Sequence, residues 1–199
     1  MGPVAAQTKR GESVSLMKKV LIIVSLLVVL GLAALAYLVS QTKSKSPEAN
    51  VELAVGDLKV HVFYNRPFKR GREIFGELVP FGKVWRTGAN EATYLETNLP
   101  LEFNGQVLKP GKYSVWTIPG PDSWVIIFNK KYPSWGVSFD GESNYNAADD
   151  ALRIEVPVVM QDKEIEQFTI SLEKVDEGME LIFLWDHTLV VAPFRLSAQ

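Results

Sequence analysis

The chain is predicted to be all-β, an antiparallel β-sandwich or barrel-like domain preceded by one N-terminal transmembrane helix. Three observations carry that prediction. Residues 20–39, VLIIVSLLVVLGLAALAYLV, are twenty positions without a charge or a proline. From residue 51 onward, short apolar-alternating segments recur with turn signals about every 8 to 12 residues, a spacing found in sandwiches and barrels. Beyond the apolar segment no helical period persists through four turns.

A helix of twenty residues rises about 30 Å, the thickness of a bilayer's hydrocarbon core. A helix on the surface of a soluble domain would show a polar face, and this one has none. Lys9, Arg10, Lys18 and Lys19 precede it against Glu12, while Lys43 and Lys45 follow it. The positive-inside rule then puts residues 1–19 in the cytoplasm and the C-terminal domain outside it, in the periplasmic or extracellular space. Met17 is an alternative start, and Ala34-Leu35-Ala36 has the form of a signal-peptide cleavage site. The apolar run continues through Val39, longer than a usual signal core, which favours an uncleaved anchor over a removable signal peptide. Both readings export the domain. Residues 40–50, SQTKSKSPEAN, read as a polar linker, and 51–196 as the β-rich domain.

Within that domain LKVHVFYN (58–65) alternates Val60, Val62 and Tyr64 against Lys59, His61 and Phe63. Asn104-Gly105 lies between two short apolar runs and predicts a type I′ hairpin turn, since both positions need positive φ. Pro110-Gly111 and Pro119-Gly120-Pro121-Asp122 punctuate the next strands. Val125 to Phe128 reads as a strand buried on both faces. ALRIEVPVVM (151–160) is strand-like, with Pro157 implying an edge or a bulge. In EQFTISLEKV, Phe168, Ile170 and Leu172 face one way; GMELIFLWDHT follows a turn at Glu177-Gly178, and LVVAPFRL closes the set. That makes eight to ten strands. Residues 66–90 show little periodicity, and loops of that length are usually functional or firmly tied down.

Cysteine is absent. That excludes thiol catalysis, disulfides, a lipid-modified cysteine anchor and cysteine zinc sites, and leaves the core to hold the fold. Residues 47–199 carry 15 Lys and Arg against 22 Asp and Glu, too acidic a domain for nucleic acid to be a partner. Residues 59–86 reverse the balance, with seven positive and two negative side chains. Such a stretch is either an anion site or half of a set of ion pairs, and ion pairs are the commoner outcome.

The blocks GREIFGELVPFGKVWRTGANEAT, LKPGKYSVWTIPG and WVIIFNK, with WG at 135–136, resemble the bacterial domain-of-unknown-function 2911 family across residues 51–196. The resemblance implies a β-rich, commonly exported domain with no assigned activity, and so no catalytic residues to carry over.

Nucleotide motifs fail on chemistry. Gly71 to Gly76 has P-loop spacing, but Glu77 stands where a phosphate-binding lysine belongs, and Gly105 to Gly111-Lys112 is one residue too long. Neither a G-x-S-x-G nucleophile turn nor an H-E-x-x-H zinc helix is present. His61 and His187 are the only histidines; Asp186-His187 could join Glu91 in a metal site, but nothing in sequence brings them together. No metal and no cofactor is expected.

The candidate site is WRTGANE (85–91), in the loop that includes Val84. Arg86 offers a planar fork for carboxylate, phosphate or sulfate. Asn90 donates and accepts, and Glu91 can accept sugar hydroxyls or act as acid or base. Trp85, with Trp116 or Trp135 if near, would supply flat apolar walls, and Arg66 and Arg72 could complete an anion pocket. The bland reading uses the same residues: Arg86 pairs with Glu91 or Glu77, Asn90 caps the Gly88 turn, and the tryptophans fill the core. The structural staple is favoured, a ligand pocket comes second and catalysis third. The functional expectation is a membrane-anchored binding or interaction module at the bacterial envelope, its partners a small anionic or glycan ligand or an envelope protein. The alternative is an envelope hydrolase or lyase acting on a glycan or small acid, with Glu91 as acid or base and Arg86 orienting an anion.

Overall fold

The computed structural model describes residues 4–133, 136–137 and 143–197, with side chains from residue 17 onward. The chain divides into two compact units, one ending at Ser44 and one beginning at Lys45. The first is a helix, α1 (Val4–Lys45), whose stretch Met17–Lys45 is long and apolar enough to cross a membrane. Every large apolar side chain from Met17 to Val39 is exposed, as in a helix whose partner is lipid and not a protein core. A segment of this kind serves as a membrane anchor or as a signal sequence. Helix α1 continues through Lys45 and the first strand begins at Glu48, with Ser46 and Pro47 between them.

The second unit is antiparallel β. Its strands are β1 (Glu48–Val55), β2 (Leu58–Asn65), β3 (Tyr94–Thr97), β4 (Leu101–Phe103), β5 (Gln106–Leu108), β6 (Gly111–Pro119), β7 (Ser123–Asn129), β8 (Asp150–Val175) and β9 (Gly178–Leu196). They pair in the order β1-β2-β3-β6-β7-β8-β9-β4-β5. Asn104 (φ 49°) and Gly105 (φ 78°) both take positive φ, as the β4–β5 hairpin requires. The segments that alternate separately at 151–160 and 167–176 belong to one strand, the 26-residue β8. Pro157, facing Ser123, is its last partner on β7; from Val158, facing Val190, it pairs with β9. Proline has no N–H to give a ladder, and here it stands where the strand changes partners. Register shifts at Met160/Ile165 and Ile165/Thr169 bend β8 further.

This bend folds the sheet around one core. Val60, Val62 and Tyr64 of β2, Trp124, Ile126 and Phe128 of β7, and Leu152, Ile154 and Val156 of β8 point into it. Phe168, Ile170 and Leu172 from the later part of β8 face them together with Leu181, Phe183 and Trp185 of β9. The Tyr64 hydroxyl donates to the Ile170 carbonyl (3.2 Å) and accepts from its N–H (2.9 Å), joining β2 to β8 across the core. On another side, the amides of Asn104 and Gln106 donate to the Glu155 and Arg153 carbonyls and tie the β4–β5 hairpin onto β8.

Trp116 and Ile127 are buried yet lie outside this core cluster. Tyr145, beyond β7, lies on that outer face. Tyr145 packs on Trp116, Ser114 donates to the Lys131 carbonyl, and Asn129 donates to the Asn146 carbonyl and to Asp150.

Candidate functional site

The chain leaves β2 at Asn65 and runs beside β8 before turning into the long loop. The Lys69 N–H donates to the Glu166 carbonyl (2.7 Å), and the Phe168 N–H donates to the Pro67 carbonyl (2.9 Å). Arg66 lies in this seam, its Nε donating to the Phe168 carbonyl (3.4 Å) and its Nη2 to Thr169 Oγ1 (3.0 Å). Its fork is therefore spent on holding β2 to β8. Arg72 turns back on its own loop and donates to the Lys69 and Phe68 carbonyls.

The loop rejoins the sheet at Trp85, which exchanges backbone hydrogen bonds with Thr117 (2.7 and 3.0 Å). The Trp85 ring points inward, stacked on Trp185 at 5.9 Å and edge-on to Trp124 and Phe168. The ring is partly buried and packs against the core. Trp135 lies outside the described residues.

After Trp85 the backbone is held tightly. Thr87 (φ 55°), Gly88 (φ 145°) and Asn90 (φ 54°) all have positive φ. A side chain on Gly88 would place its Cβ 2.9 Å from the Asn65 carbonyl oxygen and 3.2 Å from Thr93 Oγ1. Thr87 is fully buried, its hydroxyl 3.1 Å from that of Thr117, and Thr93 donates to the Thr87 carbonyl at 2.7 Å. Asn90 does not cap the Gly88 turn; its Nδ2 donates to the Ser46 carbonyl (3.3 Å), and its own carbonyl accepts from the Gly136 N–H (3.3 Å). Glu91 accepts from Asn65 Nδ2 at 3.0 Å, and Asn65 Oδ1 is buried with no hydrogen-bond partner among the described residues.

The aliphatic stem of Arg86 lies beneath Gly136, so close that a Cβ there would sit 2.6 Å from Arg86 Cδ. The side chain is half-buried, and burial pushes the guanidinium below its ordinary pKa. Burial is the one cause of that shift, and no hydrogen bond or ion pair joins Arg86 to another of the described residues. The guanidinium is thus partly desolvated and without a counter-charge among the described residues. Five positions on, the Glu91 carboxylate is held by Asn65.

Two other polar regions stand apart from this loop. Glu164, Asp186 and His187 bring their ligating atoms within 4.8 Å of one another, with Lys69 Nζ 2.6 Å from Asp186 Oδ1 and 3.3 Å from Glu164 Oε1. Asp186-His187 thus meets Glu164, where the sequence had suggested Glu91. A groove of about 660 Å³ opens between the β4–β5 and β8–β9 turns, lined by Glu102, Asp176, Glu177, Glu180 and Arg195 among others, and no residue of the 84–91 segment lines it. Sequence reasoning did not single out Asn65, Gly136 or Glu164. Gly136 had a signal in the WG block, and Asn65 in the strand end that precedes the loop.

Comparison with curated proteins and comparison with solved structures each return no match. Residues 46–194 match the family described as "Protein of unknown function (DUF2911)", covering most of the chain, and the protein is a member of that family.

Proposed function

We propose that this protein is a binding module, held at the bacterial envelope by its N-terminal helix with the β-domain outside the cytoplasm, and that the 84–91 loop takes a small carboxylate or an anionic glycan. One observation carries the reading: Arg86 is fixed under Gly136, half-buried, and without a counter-charge among the described residues. Burying a guanidinium without a partner costs stability, and an anionic ligand offsets that cost. The basic N-terminal flank supports the orientation.

The test is a thermal-shift screen of the full chain in detergent micelles, wild type beside Arg86→Ala, against acetate, phosphate, sulfate, glucuronate and neutral sugars. A ligand that binds only the folded state stabilises it by about 2.7 kcal/mol at roughly 100 times its Kd. The expected result is a shift with glucuronate or another anion that Arg86→Ala loses. A shift retained in Arg86→Ala places the ligand elsewhere and defeats the reading.

A further inference from the structure

The β8–β9 bulge brings together side chains that the anion site does not use. His187 Nε2 lies 3.8 Å from Asp186 Oδ1 and 3.9 Å from Glu164 Oε2. The other ring nitrogen, Nδ1, lies 3.0 Å from the Gln161 carbonyl. A carbonyl only accepts, so Nδ1 carries a proton, and in the neutral ring the Nε2 lone pair faces the two carboxylates. A metal-ligating histidine is usually oriented this way, with its second nitrogen donating to a carbonyl or carboxylate outside the site.

The spacing is close to what a metal needs. With bonds of about 2.0–2.2 Å, tetrahedral ligand atoms stand roughly 3.4 Å apart. Two of the three pairs are therefore within about half an ångström of a coordination shell. The Glu164 side chain is half-exposed and free to close the third. Lys69 already shows that the cluster holds a cation, since its ammonium bonds Asp186 Oδ1 and Glu164 Oε1. One ammonium balances only one of the two carboxylates, and it leaves Glu164 Oε2 turned toward His187.

We propose that Glu164, Asp186 and His187 form a binding site for a first-row divalent cation such as Zn²⁺, with Lys69 as its competitor for the Asp186 oxygen. One imidazole and two carboxylates suit such an ion, and three protein ligands leave at least one position open to water or an exogenous ligand. The proposal stands apart from the anion site, because none of its residues belongs to the 84–91 loop.

The experiment is calorimetric titration of the full chain, without a histidine tag, in detergent micelles with ZnCl₂ and separately with MgCl₂. The expected result is one Zn²⁺ per chain at micromolar affinity, with Mg²⁺ much weaker. His187→Ala and Glu164→Gln, both at solvent-accessible side chains, each weaken Zn²⁺ at least about tenfold. Lys69→Met tightens it several-fold by removing the competitor. If Zn²⁺ does not bind wild type, or binds His187→Ala and Glu164→Gln as well as wild type, the cluster is an ion-pair network only. Should Lys69→Met fold poorly, the two accessible-side variants decide the question alone.

Discussion

Gly136 lies directly against the Arg86 side chain: a Cβ built on it would stand 2.6 Å from Arg86 Cδ and 2.8 Å from Arg86 Cβ. The glycine is therefore part of what holds the guanidinium in place. Gly136→Ala is expected to cost about 1–3 kcal/mol by overpacking. In an Arg86→Gly background, which removes both the Cβ and the Cδ contacts, most of that penalty should vanish, giving a coupling of about 1 kcal/mol or more in a double-mutant cycle read from urea melts. Equal penalties in both backgrounds would mean that the two residues do not press on each other.

Arg66 and Arg86 are separated by what their forks touch. Arg66→Ala takes a donor from the Phe168 carbonyl and from the Thr169 hydroxyl, which keeps its own bond to the Gln167 carbonyl, and should cost about 1–3 kcal/mol. Arg86→Ala removes an unpaired charge along with some packing and should stay within about 1 kcal/mol of wild type. Denaturant midpoints of the two variants measure the contrast directly.

Gly88 and Gly56 both have positive φ, but only Gly88 is crowded. Gly56→Ala should cost about 1 kcal/mol from backbone conformation alone. Gly88→Ala adds a clash with the Asn65 carbonyl oxygen at 2.9 Å and should lose clearly more, with Trp fluorescence reporting a disturbed Trp85. Similar losses in the two variants would show that the Asn65 contact relaxes freely.

Tyr64 supplies a pH dependence whose sign can be worked out. Burial raises its pKa, against smaller lowering effects from the Ile170 hydrogen bond and Arg66. A raised folded-state pKa contributes stability that is fully present below the unfolded value near 10 and lost as pH climbs through the folded value. Tyr64→Phe should remove that alkaline dependence, and at neutral pH it should cost about 1–3 kcal/mol by stranding the Ile170 N–H and carbonyl. Urea melts at neutral and strongly alkaline pH, with difference absorbance of the phenolate, check both parts.

The strands were legible because their signals are local. Alternation in 58–65 and 167–176, the Asn104-Gly105 pair and Pro157 each depend on neighbours in sequence, and each has its counterpart in β2, β8, the hairpin turn and the change of partner. The merging of two segments into β8 was not legible, because a bulge is visible only against the partner strand. The site divides along the same line. Trp85, Arg86, Asn90 and Glu91 stand out by residue type, but their fates depend on distant contacts: Trp85 on Trp185, Asn90 on Ser46, Glu91 on Asn65, and Arg86 on Gly136. No spacing rule carries those pairings. Glu164 was hidden for the same reason, lying more than twenty residues from the Asp186-His187 pair it meets.

The central claim is that Arg86 is an anion-binding group and not a staple. The most direct measurement is the ¹⁵N-detected Nε–H resonance of Arg86 in the full chain in micelles, assigned by comparison with Arg86→Lys, during titration with glucuronate. The account predicts that this resonance shifts along a saturating one-to-one curve while that of Arg66 stays in place. If Arg86 Nε–H is unmoved by glucuronate, acetate, phosphate and sulfate up to about 10 mM, well above a millimolar Kd, the claim is contradicted and the loop only ties the fold together.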